Sequence, residues 1–317
     1  ALVEACDLDI TQLTAYHIGF VIGPCLNASG RLQTAKLALE MLLCEDETQA
    51  QEMAVQLKEL NEERKNMTQK GVEEALSLVE EQYENDSVLV VYLPDCHESL
   101  AGIIAGRVRE AWNRPSFVLT RSAEEADSQD GEETVLMAKG SGRSIEAYHM
   151  YQGLCGVQDL LVKFGGHPMA AGFSLREADI EEFRRRLNEQ ADLKPEDFVR
   201  KIWIDVPMPL EYISEGLIEE LKQLEPFGQG NEKPQFAQKN LLIRSSRVLG
   251  RNRNAVKLSL VTEQGYSMEG MLFTEGDRFM EELGSQKHID VIYYPDVNEY
   301  NGNRTLQIVV REYKLHP

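Results

Sequence analysis

Between Asp46 and Glu84 the chain carries no proline and a single glycine, Gly71, while Met53, Ala54, Leu57, Leu60, Met67, Ala75, Leu76 and Val79 recur among charged residues. That near-3.6 period predicts one amphipathic helix. At 1.5 Å per residue, roughly 38 residues would extend about 57 Å, more than one domain core needs. We therefore expect a strut joining two domains, bent at Gly71 or at Asn66–Thr68. Ahead of it, the sequence from Ala1 is helix-like without a capping signal, and Thr11–Phe20 follows. Gly23-Pro24 reads as a break, Asn27 and Ser29 as turn or cap residues, and Gly30-Arg31 as the mouth of a helix running to about Leu43.

After the strut the pattern shortens. Val88–Tyr92 and Ser116–Thr120 are apolar, β-branched runs of the buried-strand kind, and Thr134–Lys139 reads as a further strand. Leu93–Glu98 is a polar loop before a helix at Ser99–Trp112, where Gly102 and Gly106 permit close packing on a sheet. Ser122–Glu133 reads as an acidic surface loop, Tyr151–Phe164 as helix and turn, Ala178–Ala191 as an amphipathic helix and Asp192–Asp197 as a linker.

Beyond Lys201 the texture changes again. A strand at Ile202–Val206, a helix at Glu215–Leu224 and a Gly/Pro-rich connection at Pro226–Phe236 precede five alternating runs: Leu241–Leu249, Ala255–Val261, Tyr266–Phe273, Ile289–Tyr294 and Thr305–Tyr313. Asn301-Gly302 is a hairpin signal before the last. Five strands in about 75 residues predict a small closed barrel, and the oligonucleotide-binding barrel is the natural five-stranded candidate.

Composition changes this picture only locally. With 42% hydrophobic and 27% charged residues the chain is an ordinary globular one. Its apolar runs, such as Val88–Leu93, fall far short of the ~20 residues that span a bilayer, and no export signal opens the chain. Five widely spaced cysteines without a Cys-x-x-Cys pair suggest neither a disulfide framework nor a zinc site, which points to a reducing, cytoplasmic compartment. The net charge of −20 argues on average against a polyanionic partner. Between Lys239 and Val261, however, six basic residues stand with no acidic one. Arg244, Arg247, Arg251, Arg253 and Lys257 thus fall on the first barrel strands and their hairpin, where such barrels meet a nucleic-acid backbone, with Phe236 and Tyr300 as candidates for base stacking. A solvated basic face is the bland alternative.

Two further stretches carry candidate chemistry. In Lys163–Leu175, Gly165 and Gly166 let a backbone approach a ligand, and His167 can donate to a phosphate oxygen; a buried turn with a satisfied histidine is the alternative. In Gly140–Ser144, backbone N–H groups, Ser141 or Ser144 and the Arg143 guanidinium could converge on one anion, or the segment could be a capped turn. Arg31 either reaches an anion or ties down a loop, and His97 is a possible loop contact.

Taken together, Ile22–Leu32, His97–Arg107, Gly140–Ser144, Lys163–Gly172 and the connection Leu224–Phe236 resemble, in order and spacing, the C-terminal part of RecJ-type single-strand-specific exonucleases of the DHH phosphoesterase superfamily. The resemblance implies an α/β DHH-associated substrate-binding domain joined by a long helix to the tail of a DHH domain, followed by an all-β OB-fold-like barrel. The corresponding bounds are 1–45, 46–84, 85–196 and 197–317. It implies a 5′-to-3′ exonuclease of DNA repair and recombination using Mn²⁺ or Mg²⁺. Single-stranded DNA, a single-strand-binding protein and a helicase are the implied partners, and no membrane. Gly165, Gly166 and His167 would hold substrate phosphate beside the metals, and Ser141 and Arg143 the 5′ end, with Arg31, Asn27, His97 and Ser144 completing the phosphate-binding set. The family's Asp-rich motifs and Asp-His-His do not occur here, so the chain is expected to be a fragment starting within the tail of the DHH domain, inactive alone, with no catalytic residue and no metal ligand of its own. Cys25 stands where the family has an arginine, so no anion contact is expected from that position. The alternatives are a DHH phosphodiesterase for short oligonucleotides or cyclic dinucleotides, which would not need the barrel, and a non-catalytic scaffold for single-stranded DNA.

Overall fold

The computed structural model describes residues 1–122, 135–300 and 302–316, the side chain of Tyr300 excepted. The expected acidic loop, apart from Ser122, lies outside the described residues, as do Thr134, Asn301 and the proposed stacking ring of Tyr300. Contacts divide the chain into two units, Ala1–Arg200 and Lys201–Pro317.

The first unit opens with α1 (Leu2–Ala5), α2 (Ala15–His17) and α3 (Gly23–Leu32), the last two linked by a π turn. Gly23-Pro24 therefore does not break the chain: the wider π turn at Ile18–Ile22 runs directly into α3, with Pro24 in its first turn. Asn27 and Ser29 lie inside α3, not at its cap, and Ser29 Oγ donates back to the Leu26 carbonyl (3.1 Å). Gly30-Arg31 closes α3, and a separate α4 spans Lys36–Leu43.

The long helix α5 covers Glu47–Leu78, capped by Asp46, whose carboxylate accepts from the Gln49 N–H (2.8 Å). The helix runs without interruption through Gly71. A Cβ there would stand 2.6 Å from Ile104 Cδ1, so the missing side chain is what brings the next helix close. Ala54 and Leu57 of α5 pack with Leu2, Cys25 and Met41, whereas Ala75 joins a second cluster with Val79, Leu89, Val91 and Ile104.

That second cluster lies on one face of a sheet built from β1 (Leu89–Tyr92), β2 (Ser116–Arg121), β3 (Met137–Arg143), β4 (Leu161–Gly166) and β5 (Ala170–Arg176) in the order β1-β2-β3-β5-β4. Helix α6 (Ala101–Trp112) packs on β2 and β3. On the opposite face, Val90, Phe117 and Phe173 meet α7 (Met150–Cys155) and α8 (Ile180–Gln190), where the Phe173 and Phe183 rings stack at 4.9 Å. Of the helix and turn expected at Tyr151–Phe164, the helix ends at Cys155 and β4 takes over from Leu161, and Lys163–Leu175 is a β hairpin, not a buried turn. The period-2 signal was hidden because five of its thirteen positions are glycine or alanine.

The second unit holds β6 (Val206–Pro207), α9 (Glu215–Lys222), β7 (Phe236–Leu249), β8 (Ala255–Val261), β9 (Ser267–Leu272), α10 (Gly276–Leu283), β10 (His288–Tyr300) and β11 (Asn303–His316). The strand order β10-β11-β9-β8-β7, with β10 pairing back to β7, closes a five-stranded barrel carrying α10 between its third and fourth strands, the OB arrangement. The strand expected at Ile202–Val206 shrinks to the two residues of β6. Phe236 is 6% exposed and faces Tyr293, so it is core and no stacking platform.

Candidate functional site

Register brings the two glycine-bearing stretches onto one face of the sheet. Ser141 on β3 pairs with Gly172 on β5, which pairs with Gly165 on β4; one rung away Arg143 pairs with Ala170, whose carbonyl accepts from the His167 N–H (2.7 Å). Cross-strand partners share a face, so Ser141 and Arg143 lie in line with the Gly165–His167 end of the hairpin. Beyond α6 this face is open, with Gly165, Gly172 and His167 all exposed.

The cradle of backbone N–H groups expected at Gly140–Ser144 is not formed. Gly140 to Arg143 are laddered to β2 on one side and β5 on the other, so their amides are committed to the sheet. Gly140 instead serves the core, since a Cβ there would overlap the Phe173 ring. Ser144 is 1% exposed, and its hydroxyl donates to the Tyr148 carbonyl (2.5 Å), away from any ligand.

What remains is side-chain chemistry. Arg143 runs along α6 from Gly106 to Gly102: a Cβ on Gly102 would stand 2.8 Å from Nη2 and 3.3 Å from Ser141 Oγ. Nη1 donates to the Gly142 carbonyl (2.8 Å). Burial first, then the charges of Arg31 and Arg109, disfavour its charged form relative to an ordinary guanidinium. Arg64 on α5 is depressed in the same way, by burial and then Arg31. Its Nη2 donates to Asn61 Oδ1 (3.0 Å), while the buried Nε atoms of Arg64 and Arg109 have no hydrogen-bond partner among the described residues. The charge of Arg31 thus bears on both Arg143 and Arg64, and that of Arg109 on Arg143, a like-charge arrangement that an anion relieves.

Arg31 Nη1 donates to the Ser99 carbonyl (2.9 Å), tying the end of α3 to the turn that leads into α6. His97 caps that turn: Nδ1 accepts from the Ser99 N–H (3.3 Å), leaving Nε2 as the protonated nitrogen of the neutral ring. Alongside lies a groove of about 420 Å³ lined by Ser99, Ala101, Ser141 and Gly172, continuing to Lys139, Lys163 and Ser174. Asn27 is exposed on α3. Cys25 is buried, accepts from Asn61 Nδ2 (3.5 Å) and lies 3.8 Å from Cys6 Sγ; burial, then Cys6, pushes its thiol up to about 11, so it meets no anion as a cation would.

Arg64 and Arg109 escaped the sequence reading because each looks like an ordinary polar position of an amphipathic helix. The usable signal was local: an asparagine, Asn61, at an apolar position of α5, one turn before an arginine.

On the barrel, Arg244, Arg247 and Arg251 are exposed. Arg253 is not available: at φ 51° it grips Asp277 with two hydrogen bonds (Nε to Oδ2, 2.7 Å), pinning the β7–β8 hairpin to α10. Lys257, opposite Arg247, pairs with Glu269 (2.8 Å) at an exposed site where such pairs are weak.

Family comparison matches residues 85–192 to the DHHA1 domain and residues 204–312 to the RecJ OB domain. The single-stranded-DNA-specific exonuclease RecJ of Bacillus subtilis is 32% identical over 98% of this chain, which covers 38% of that protein. The protein of the same description from Haemophilus influenzae is 32% identical over 98% of the chain, covering 54% of it. Among solved structures, Thermus thermophilus RecJ in complex with Mg²⁺ matches the whole chain with a TM-score of 0.79 and 27% identity, the chain covering 46% of that structure. Its Mn²⁺ complex matches with a TM-score of 0.80. The chain thus spans from about a third to about half the length of these relatives. Among the described residues no three His, Cys, Asp or Glu side chains gather as a ligand set for such ions. No helix among them is long and apolar enough to cross a membrane.

Proposed function

The chain belongs to the RecJ family, and on that premise we propose that it is the substrate-holding part of a 5′-to-3′ single-stranded-DNA exonuclease of repair and recombination. The observation that carries this reading is Arg143: half-buried, crowded by Arg31 and Arg109, and laid beside the open face of Ser141, Gly172 and Gly165. A 5′-terminal phosphate would accept from the Arg143 guanidinium, Ser141 Oγ and His97 Nε2, with Arg31 and Arg64 adding charge. Because these groups are fixed before substrate arrives, and partly shielded from water, little is spent on ordering them and each contact is stronger than at an open surface. Without side chains, Gly172 and Gly165 would let the sugar-phosphate backbone lie close to the sheet, and His167 would reach the phosphate from the hairpin tip.

Arg244, Arg247 and Arg251 of the barrel would contact the strand's sugar-phosphate backbone. Residues 1–45 are proposed as the tail of a DHH domain and 46–84 as its connecting helix. Hydrolysis is assigned to the metal-holding part of that domain, whose Asp-His-His does not occur in these 317 residues. A single-strand-binding protein and a helicase would present the substrate, in the cytoplasm.

The test is equilibrium binding of a dinucleotide and of a 20-mer of thymidine, each over a salt series. The proposal requires the 20-mer to bind more tightly and with a steep inverse dependence on salt, since each phosphate neutralised releases counterions. Equal affinity for the two would favour a phosphodiesterase of short oligonucleotides and overturn the reading.

A further inference from the structure

The groove does not end at Ser141. Two residues away on the same face of β3 comes Lys139, paired with Ser174 of β5, which is paired in turn with Lys163 of β4. Same-face residues of a strand recur at about 6.8 Å, a step similar to that between successive phosphates of an extended nucleic-acid strand. The rung Ser141–Gly172–Gly165 and the rung Lys139–Ser174–Lys163 are one such step apart, and Lys139, Ser174 and Lys163 all line the groove. At the Gly165 end of the first rung the floor is bare: among the described residues, its chain neighbours apart, no atom lies within 4 Å of where a Cβ on Gly165 would be.

The two lysines differ in what holds them. Lys139 is bound to Glu98 (3.1 Å), at the head of the turn before α6, which fixes its position and offsets part of its charge. Lys163 stands exposed on the edge strand β4, facing the groove from the other wall. We infer that Lys163, with Ser174 and Lys139, forms a second phosphate subsite, taking the phosphodiester next to the terminal phosphate. This rests on the proposed function, in which Arg143 and Ser141 hold the 5′ end. An ammonium contributes here as a point charge and Ser174 as a short donor, so the subsite counts phosphates without reading bases.

The experiment measures competition by 5′-phosphorylated thymidine mononucleotide and trinucleotide against a 3′-labelled, 5′-phosphorylated 20-mer, using the 317-residue chain, Lys163→Ala, Lys163→Arg and Arg143→Ala. Lys163→Ala should weaken the trinucleotide roughly fivefold, leave the mononucleotide unchanged and flatten the salt slope for the 20-mer by about 0.7, the share of one phosphate contact on a single strand. Lys163→Arg should keep the trinucleotide within twofold of the parent. A trinucleotide unaffected by Lys163→Ala, or a mononucleotide weakened equally, overturns the subsite. Failure of the underlying reading is seen separately, as an Arg143→Ala chain that binds the mononucleotide as well as the parent does.

Discussion

The guanidinium of Arg143 occupies the space that a side chain on Gly102 would need: a Cβ there would stand 2.8 Å from Nη2. The glycine on α6 and the arginine on β3 are thus one device, in which the helix gives up a side chain so that a cation can lie along it.

Gly102→Ala should therefore separate site from fold. The atom in the way is the far end of a flexible side chain, so the helix can keep its path, and alanine is the better helix former by about 1 kcal/mol. Thermal denaturation should show a midpoint equal to or above the parent's. Affinity for a 5′-phosphorylated oligonucleotide should fall roughly fivefold or more. Unchanged affinity would mean that the guanidinium's position is immaterial.

Two neighbouring glycines should respond in opposite ways. Gly140→Ala drives a methyl into the Phe173 ring within a packed core, an overpacking that costs about 1–3 kcal/mol and lowers the melting midpoint by several degrees. Gly165→Ala meets open space, so its midpoint should hold. The added methyl would nevertheless rise from the groove floor, and oligonucleotide affinity should drop. Denaturation and binding measured on both variants check the contrast.

Arg253 should behave as a structural residue of the barrel. Arg253→Ala is expected to leave nucleic-acid affinity within twofold, whereas Arg251→Ala weakens it and flattens the salt slope by about 0.7. The pair with Asp277 also sets a pH dependence. The hydrogen bond from Arg253 holds the Asp277 carboxyl below its ordinary value of 3.8. A depressed carboxylate contributes stability that is present above the ordinary value and lost as pH falls through the lowered one. Parent and Arg253→Ala should thus differ in denaturation midpoint at pH 6 and converge towards pH 2. The difference should be modest, because both partners are exposed.

The sequence was informative where pattern and chemistry coincide. The barrel runs place apolar residues at or near every second position, most clearly in Ala255–Val261, and β7, β8, β9, β10 and β11 form over or around them. Register places Arg143 and Ser141 in line with the Gly165–His167 stretch on one face. Illegible were features decided by partners distant in sequence. Gly71 looks like a hinge until Ile104 is seen against it, and Ser144 looks like an anion donor until its hydroxyl is found donating to the Tyr148 carbonyl. Arg253 looks like its neighbour Arg251 until Asp277, 24 residues on, is found holding it. In each case the sequence names the residue type, and the tertiary contact decides its use.

The most direct measurement is the affinity of the chain for one thymidine 20-mer carrying either a 5′-phosphate or a 5′-hydroxyl, repeated with Arg143→Ala. The account requires the phosphorylated strand to bind about tenfold more tightly and that preference to vanish in the variant, with binding of the hydroxyl form little changed. Equal affinity for the two strands in the parent, or a preference that survives Arg143→Ala, would contradict it.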